Sequence, residues 1–164
     1  MAQGKGKDKK TNPVAARNKK AFHDFEILER MEAGLVLTGS EVKSVRQGGV
    51  SLKEGYVKIR GNEAWLVDAH ISPYNNAAPG AQHKPFRPRK LLLSRRELDS
   101  IIGRVQRKGL TIVPLALYFK GNWAKLEIGL ARHKKQFDKR QDIMKKDTER
   151  DMERRVKSQN FRSD

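Results

Sequence analysis

The chain has 164 residues, a length that suits one domain with a modest core and short extensions. Lys and Arg number 36 against 19 Asp and Glu, and the resulting net charge of +17 points to a polyanionic partner, either nucleic acid or an anionic membrane. The absence of cysteine excludes disulfides, thiolate nucleophiles and cysteine-ligated zinc.

The distribution of charge favours nucleic acid over a membrane. No apolar stretch is long enough to span a bilayer, and the basic N-terminus lacks the apolar segment of a signal peptide. Most of the positive excess lies in residues 1–20 and 131–164, on either side of a milder central region. Basic extensions around a domain are typical of proteins that grip a nucleic-acid backbone. We therefore expect a cytoplasmic protein without a membrane partner.

The first half of the chain predicts an arm, a strand and a helix. Residues 1–18 are polar and lack an apolar period, so they are predicted to be a disordered basic arm. The segment FHDFEILERMEAGLVL, from Phe22, predicts a strand pair or one bent strand. In TGSEVKSVRQGG, Thr38 and Glu41 have the spacing of a capping box, which predicts a short helix that ends at Gly48.

Two later segments, YVKIRGNEAWLVDAHI and LTIVPLALYFKGNWAKLEIGL, predict antiparallel hairpins, because each places Gly-Asn between β-rich runs. Their tryptophans, Trp65 and Trp123, are interpreted as core residues rather than platforms for bases. Between the hairpins, SPYNNAAPGAQHKPFRP predicts a long surface loop, and SRRELDSIIGRVQRKG predicts an amphipathic helix from a Ser94–Glu97 capping box to Gly109.

Together these elements predict a mostly β fold: a closed antiparallel barrel of the OB type, with about six strands and two or three short helices, over residues 19–132. Residues 133–164 form a basic tail without a continuous apolar stripe. Acid-first pairs at i,i+4, such as Asp142 with Lys146, favour a helix there. The tail is predicted to be disordered when free and helical against a charged partner.

Catalytic and metal-binding motifs are not recognisable. The four histidines lack the spacing of metal ligands, and Ser40 with Lys43 makes an S-x-x-K string without the companion motifs of serine acyltransferases. We therefore expect no metal, no cofactor, no small-molecule substrate and no catalytic residue.

Three basic stretches with an aromatic neighbour remain as candidate RNA contacts: NKKAFHDF, KPFRPRKLLL and KKQFDKR. Each also has a plainer interpretation, as a polar strand entry, a solvated loop or a solvated charge run.

The same stretches carry a resemblance to a known family. NKKAFHDFEILERMEAGLVLTGSEVKSVRQG, RPRKLLLSRREL and KKQFDKRQDI are similar, in collinear order, to segments of the SsrA-binding protein (SmpB) family. The resemblance implies an OB-type barrel and an RNA-binding adaptor of bacterial trans-translation. Such an adaptor binds the tRNA-like domain of tmRNA and enters stalled ribosomes. His133 and Phe137 depart from the family pattern, which more often has Gly and His at these positions.

The resemblance places tmRNA-binding positions on Asn18, Glu32 and Leu92, with basic support from Arg89 and Lys90. The full predicted RNA-binding set is Asn18, Lys19, Lys20, His23, Glu32, Arg87, Arg89, Lys90, Leu92, Lys125, Arg132, Lys134 and Lys135. The D-K-R motif of the tail implies contact with the decoding centre and mRNA channel of the small ribosomal subunit. The predicted ribosome-engaging set is Phe137, Asp138, Lys139, Arg140, Ile143 and Met144.

Two other classes of protein stay open from the residues alone. A constitutive ribosomal protein is also basic and tailed, and a small RNA-processing enzyme could have a site that motifs do not reveal. The adaptor, expected to be monomeric, is the favoured interpretation.

Overall fold

The computed structural model describes residues 14–160, except the side chains of Lys108, Phe137, Gln159 and Asn160. Within these residues the elements are β1 Val14–Arg17, α1 Lys19–Asp24, β2 Phe25–Leu35, α2 Gly39–Arg46, β3 Val50–Ser51, β4 Tyr56–Arg60, β5 Glu63–Val67, β6 His70–Ile71, β7 Arg89–Leu92, α3 Arg95–Lys108, β8 Thr111–Lys120, β9 Trp123–His133 and α4 Gln136–Asn160. None of these helices is long and apolar enough to cross a membrane.

Seven strands form one antiparallel sheet in the order β1-β8-β9-β2-β7-β5-β4, and β3 pairs with β6 separately. The sheet curls until β4 lies beside β8, and its inner side encloses a core that includes Leu66, Leu117 and Leu126. In the described residues the edge strands β1 and β4 share no hydrogen-bonded pairing. The predicted mostly β, antiparallel fold is confirmed, but its closure into a barrel is not, and the main sheet has seven strands rather than about six.

Both predicted hairpins are confirmed. β4 and β5 pair from Tyr56↔Val67 to Arg60↔Glu63, and β8 and β9 pair up to Lys120↔Trp123. Each two-residue turn begins with a glycine at positive φ, Gly61 at 58° and Gly121 at 59°. A positive φ at the first central residue matches the twist of the flanking strands, and only glycine adopts it without steric cost.

The two capped helices are also confirmed. α2 begins after Thr38, and the Thr38 backbone N–H donates to Glu41 Oε2 at 2.8 Å. α3 begins after Ser94, whose hydroxyl accepts from the Glu97 N–H, and ends at Gly109 in the left-handed conformation. The loop over residues 72–88 contains no strand or helix, as predicted.

The N-terminal boundary differs from the prediction. Residues 14–17, predicted to be part of the disordered arm, pair with β8 as β1. Residues 19–24, predicted to enter a strand, form α1, because the Asn18 side chain accepts the Ala21 N–H and caps the helix. The rest of the predicted arm, residues 1–13, lies outside the described residues.

The basic tail continues β9 into the long helix α4, which brings the described helices to four rather than two or three. Asp142 pairs with Lys134, at the end of the body, and not with Lys146 as its spacing predicted. The described large apolar side chains of the tail, Ile143, Met144, Met152 and Val156, are exposed, as expected for a tail without a continuous apolar stripe. Disorder of the tail in the free protein stays a prediction.

Candidate RNA interface

The solvent-facing side of the sheet gathers residues from four strands. Directly paired residues of antiparallel strands lie on the same face, and the face alternates along each strand. Gly34 pairs with Leu92, and Tyr118 pairs with Lys125, while a hydrogen bond joins Tyr118 to Glu32. These relations place seven side chains on one surface. The outer face is defined by Glu32, Lys90, Leu92, Tyr118, Lys120, Trp123 and Lys125.

Glu32 organises the centre of the outer face. Its carboxylate accepts hydrogen bonds from the Tyr118 hydroxyl and from Lys120 Nζ, which lies 2.8 Å from Oε2, and Lys125 Nζ lies 3.9 Å from Oε1. The hydrogen bonds from Lys120 and Tyr118 hold the pKa of Glu32 below its ordinary value. With its oxygens occupied, Glu32 orients the two lysines rather than offering its own acceptors to RNA.

On the β7 side of the outer face, a lysine lies beside an exposed leucine. Lys90 Nζ donates to Glu63 at 2.8 Å, and Leu92 is 54% exposed. A Cβ at Gly34 would lie 3.1 Å from the Leu92 Cβ, so the glycine lets the leucine lie close against β2. An exposed apolar side chain beside a cation can contact a sugar or a base while the cation contacts phosphate.

Asn18 lies beneath α1 and is 4% exposed. Its Nδ2 donates to the carbonyls of Leu52 at 3.0 Å and Pro114 at 2.9 Å, and its Oδ1 accepts from the Ala21 N–H. The side chain therefore has no remaining donor for RNA. Asn18 has a structural role, because it fixes the position of α1 and the basic residues that α1 carries, and its contact with RNA stays a prediction.

Replacing Asn18 with alanine is expected to lower the free energy of unfolding by about 1 to 3 kcal/mol, because two buried carbonyls and a helix N-terminus lose their partner. Urea unfolding followed by circular dichroism measures the change. Lys19→Ala is the matched control: its exposed side chain predicts a change within about 0.5 kcal/mol. Equal stability of the two variants would contradict the structural role of Asn18.

The corner between α1 and the end of β9 brings six further predicted residues together. The Lys134 N–H donates to the Asp24 carbonyl at 3.0 Å, and its Nζ donates to the Phe22 carbonyl at 3.2 Å. The His133 ring lies 4.2 Å from the Phe25 ring, centroid to centroid, so this departure from the family pattern packs against β2. The basic corner is defined by Lys19, Lys20, His23, Arg132, Lys134 and Lys135.

Several cations of the basic corner have carboxylate partners. Lys20 pairs with Glu54 at 2.8 Å, and Arg132 pairs with Glu26 at 2.7 Å. His23 Nδ1 lies 2.9 Å from Asp24 Oδ1, and this contact is the main reason that the pKa of Asp24 is below its ordinary value. Beside the corner, α1 packs on β2 through the Arg30 guanidinium, which lies 5.2 Å from the Phe22 ring centroid.

Arg87 and Arg89 lie away from the outer face, around Glu41. Arg89 is 0% exposed, and its Nε donates to Glu41 at 2.8 Å while its two Nη atoms donate to the carbonyls of Ala69 and Pro85. Arg87 Nη2 donates to Glu41 at 2.7 Å from a partly exposed position. The Arg89 guanidinium is buried and already paired, which gives it a structural role, and its contact with RNA stays a prediction.

Part of the outer face was not predicted from the sequence. Tyr118, Lys120 and Trp123 were not predicted to contact RNA, and the prediction of Trp123 as a core residue is wrong, since it is 74% exposed. Trp65, the other predicted core tryptophan, is half-buried. The Gly121–Asn122 turn was a usable signal, because a two-residue turn places Lys120 and Trp123 opposite each other on one face.

The predicted ribosome-engaging residues lie in the first turns of α4. Lys139 Nζ lies 3.5 Å from Asp24 Oδ1, whereas Asp138 and Arg140 are exposed. Ile143 is 46% and Met144 is 69% exposed. The Phe137 side chain lies outside the described residues, so its predicted role stays a prediction.

The whole chain resembles one family of proteins. The family model described as SmpB protein matches residues 15–158. The chain belongs to the SmpB family. The SsrA-binding protein of Roseiflexus castenholzii is 53% identical to it, over 96% of this chain and 97% of that protein. The SsrA-binding protein of Gloeothece citriformis is 49% identical, over 96% and 99%.

A solved structure supports the same SmpB assignment. It is described as "tmRNA-SmpB: a journey to the center of the bacterial ribosome", and its matching chain is 45% identical with a TM-score of 0.63. The match covers 76% of this chain and 86% of that one. Within residues 14–160, no three His, Asp or Glu side chains are grouped to hold a metal ion.

Proposed function

We propose that the protein is an RNA-binding adaptor of trans-translation, which binds the tRNA-like domain of tmRNA and delivers it to ribosomes stalled on messenger that lacks a stop codon. The observation that carries the proposal is the outer face, on which Lys90, Lys120 and Lys125 surround Glu32 and the exposed Leu92. The relatives named SsrA-binding protein and the tmRNA-SmpB structure give this basic surface its partner.

The remaining parts of the proposal concern the body and the tail. The curled sheet acts as an OB-type barrel that is completed by packing of β4 beside β8. The domain spans residues 19–132 and is flanked by a basic arm and the tail. The tail senses the vacant mRNA channel and decoding site, and the protein acts as a monomer in the cytoplasm. It performs no catalysis, in keeping with a family of RNA-binding proteins.

Binding of the tRNA-like domain is expected to weaken steeply with salt. For each phosphate that a lysine contacts, the logarithm of the binding constant falls by about 0.7 to 0.9 when the salt concentration rises tenfold. With three lysines on the outer face, we expect a slope steeper than about −2, measured by filter binding at several salt concentrations.

The source of the slope is tested with matched variants. Lys125→Gln is expected to make the slope of log affinity against log salt shallower by about one. The control is Lys43→Gln on α2, because the Lys43 ammonium lies 5.4 Å from the Tyr74 ring centroid, off the outer face. A slope near zero in the unchanged protein would refute the proposed function, and equal effects of the two variants would refute the outer face as its site.

A further inference from the structure

Trp123 is the most exposed large apolar side chain of the described residues, at 74%. Burial of a tryptophan side chain contributes a large favourable free energy, so an exposed indole marks a surface that another molecule covers. The next residue of β9, Ala124, packs against the core, so strand alternation directs the Trp123 side chain to the opposite face. The outward position of Trp123 is therefore set by the register of the strand.

The register that exposes Trp123 is rigid. Trp123 pairs with Lys120 as the last pair of the β8–β9 hairpin, directly before the two-residue turn at Gly121. A side chain on a paired strand next to a tight turn loses little conformational entropy when it binds a partner. Trp123 is therefore preorganised at one end of the outer face.

The charges beside the indole identify the kind of partner. Lys120 lies across from it with its ammonium fixed on Glu32, 2.8 Å from Oε2, and Lys125 follows two residues along β9 on the same face. An aromatic ring between cations fits a nucleotide, whose base stacks and whose phosphate is anionic. A second copy of this chain, with its net charge of +17, would place like charges against each other.

We propose that Trp123 is a stacking platform for one unpaired base of the bound RNA, with the phosphate of that nucleotide or its neighbour at Lys120 or Lys125. The inference rests on the proposed function, since the outer face supplies the RNA. Stacking is tolerant of sequence, because every base has a π face. Trp123 therefore adds affinity for an unpaired nucleotide and does not read its identity.

The first test is tryptophan fluorescence of the full chain, titrated with a transcript of the tRNA-like domain. The sequence has two tryptophans, so Trp123→Phe leaves only Trp65, which is half-buried and pairs with Lys90, to report the background response. We expect RNA to quench the emission of the unchanged protein and to protect it from acrylamide, and we expect most of that response to be lost in Trp123→Phe. An equal response in the two proteins would overturn the stacking role.

The second test is affinity at fixed salt. Trp123→Ala is expected to weaken binding roughly 5- to 150-fold, the range for loss of one base–aromatic stack, whereas Trp123→Phe keeps a ring and stays within about threefold of the unchanged protein. The slope with salt stays the same in both, because no phosphate contact is removed. Tyr74→Ala is the matched control: the Tyr74 ring lies beside Lys43, 5.4 Å from its ammonium and off the outer face, and its loss leaves affinity unchanged.

The outcomes separate this inference from the function on which it rests. Salt-dependent binding that is equal in Trp123→Ala and the unchanged protein overturns the stacking platform and leaves the adaptor standing. If the unchanged protein shows no salt-dependent binding, both the stacking platform and the adaptor function are overturned. A Trp123 emission that shifts with protein concentration in the absence of RNA assigns the indole to contact between copies and overturns the stacking platform.

Discussion

Replacing Glu41 with glutamine is expected to lower the free energy of unfolding by about 3 to 5 kcal/mol, the cost of leaving one charge of a buried ion pair without its partner. Glu41 and Arg89 are both 0% exposed, and the Arg89 guanidinium has no route to water. A glutamine would also turn an NH₂ group toward donors of Arg87, Arg89 or Thr38. Urea unfolding followed by circular dichroism measures the loss.

Two comparisons isolate the effect of burial. Glu63→Gln breaks an ion pair of the same length, 2.8 Å, but Lys90 and Glu63 are 40% and 46% exposed. Exposed pairs contribute about 0 to 1 kcal/mol, so this variant is expected to cost far less. The double variant Glu41→Met with Arg89→Met removes both buried charges, and we expect it to be more stable than Glu41→Gln. If the single and double variants were equally unstable, the loss would come from packing and not from the unpaired charge.

The same network gives the stability a defined dependence on pH. Burial raises the pKa of Glu41, but hydrogen bonds from Arg87 and the Thr38 N–H, with the charge of Arg89, outweigh burial and bring the pKa below its ordinary value of 4.5. A carboxyl whose pKa is lower in the folded state contributes stability that is present above its unfolded pKa. That contribution is lost as the pH falls below 4.5 toward the folded pKa, and Glu41→Gln is expected to flatten this part of the profile.

Elements whose signals are local in sequence could be predicted. The Gly-Asn turns identified both hairpins, and the Ser94–Glu97 box with Gly109 identified α3 nearly to the residue. In each case the residues that decide the conformation lie within a few positions of one another. The hydrogen bonds of these turns and caps join residues close in sequence, so they do not depend on distant parts of the chain.

Features that depend on distant partners could not be predicted. Asn18 donates to the Pro114 carbonyl, 96 residues away, and Glu41 pairs with Arg89, 48 residues away. In the sequence, Glu41 is a helix-capping residue and Arg89 is one more cation of a basic loop. Only the fold shows that Glu41 and Arg89 are buried against each other, so the structural role of Arg89 could not be predicted from the sequence. The outer face had partial signals, since Lys125 and Trp123 follow a turn that fixes their register.

Removal of residues 138–164 is expected to leave binding of the tRNA-like domain within about threefold of the full chain and to abolish tagging on stalled ribosomes. No described side chain of α4 belongs to the buried core, and among the described residues two ion pairs join α4 to the body, Lys134 with Asp142 and Lys139 with Asp24. The outer face does not include α4, so its lysines keep their positions without the tail. Truncation that destroyed binding to free RNA would contradict this division of roles.

A point substitution tests whether the tail acts as a helix. Met144→Pro is expected to break α4, because proline costs about 3 kcal/mol in a helix interior, while the charge of the tail stays the same. Met144→Leu keeps both the helix and an apolar side chain, and it is the matched control. We expect tagging to fall strongly in the proline variant alone, with RNA binding equal in both.

We propose that the cationic helix α4 fills the RNA-lined mRNA channel when that channel is empty. Tagging is lost when the tail can no longer fill it. α4 is long and almost wholly exposed, with Met144 at 69% and Met152 at 62%, so most of its surface is free to contact ribosomal RNA. Messenger that extends past the decoding site would occupy the same path. Co-sedimentation is therefore expected to show the full chain on ribosomes with truncated messenger and little of it on ribosomes with extended messenger. Met144→Pro is expected to lose that preference, and equal recovery on both kinds of ribosome by the full chain would show that the tail does not sense the channel.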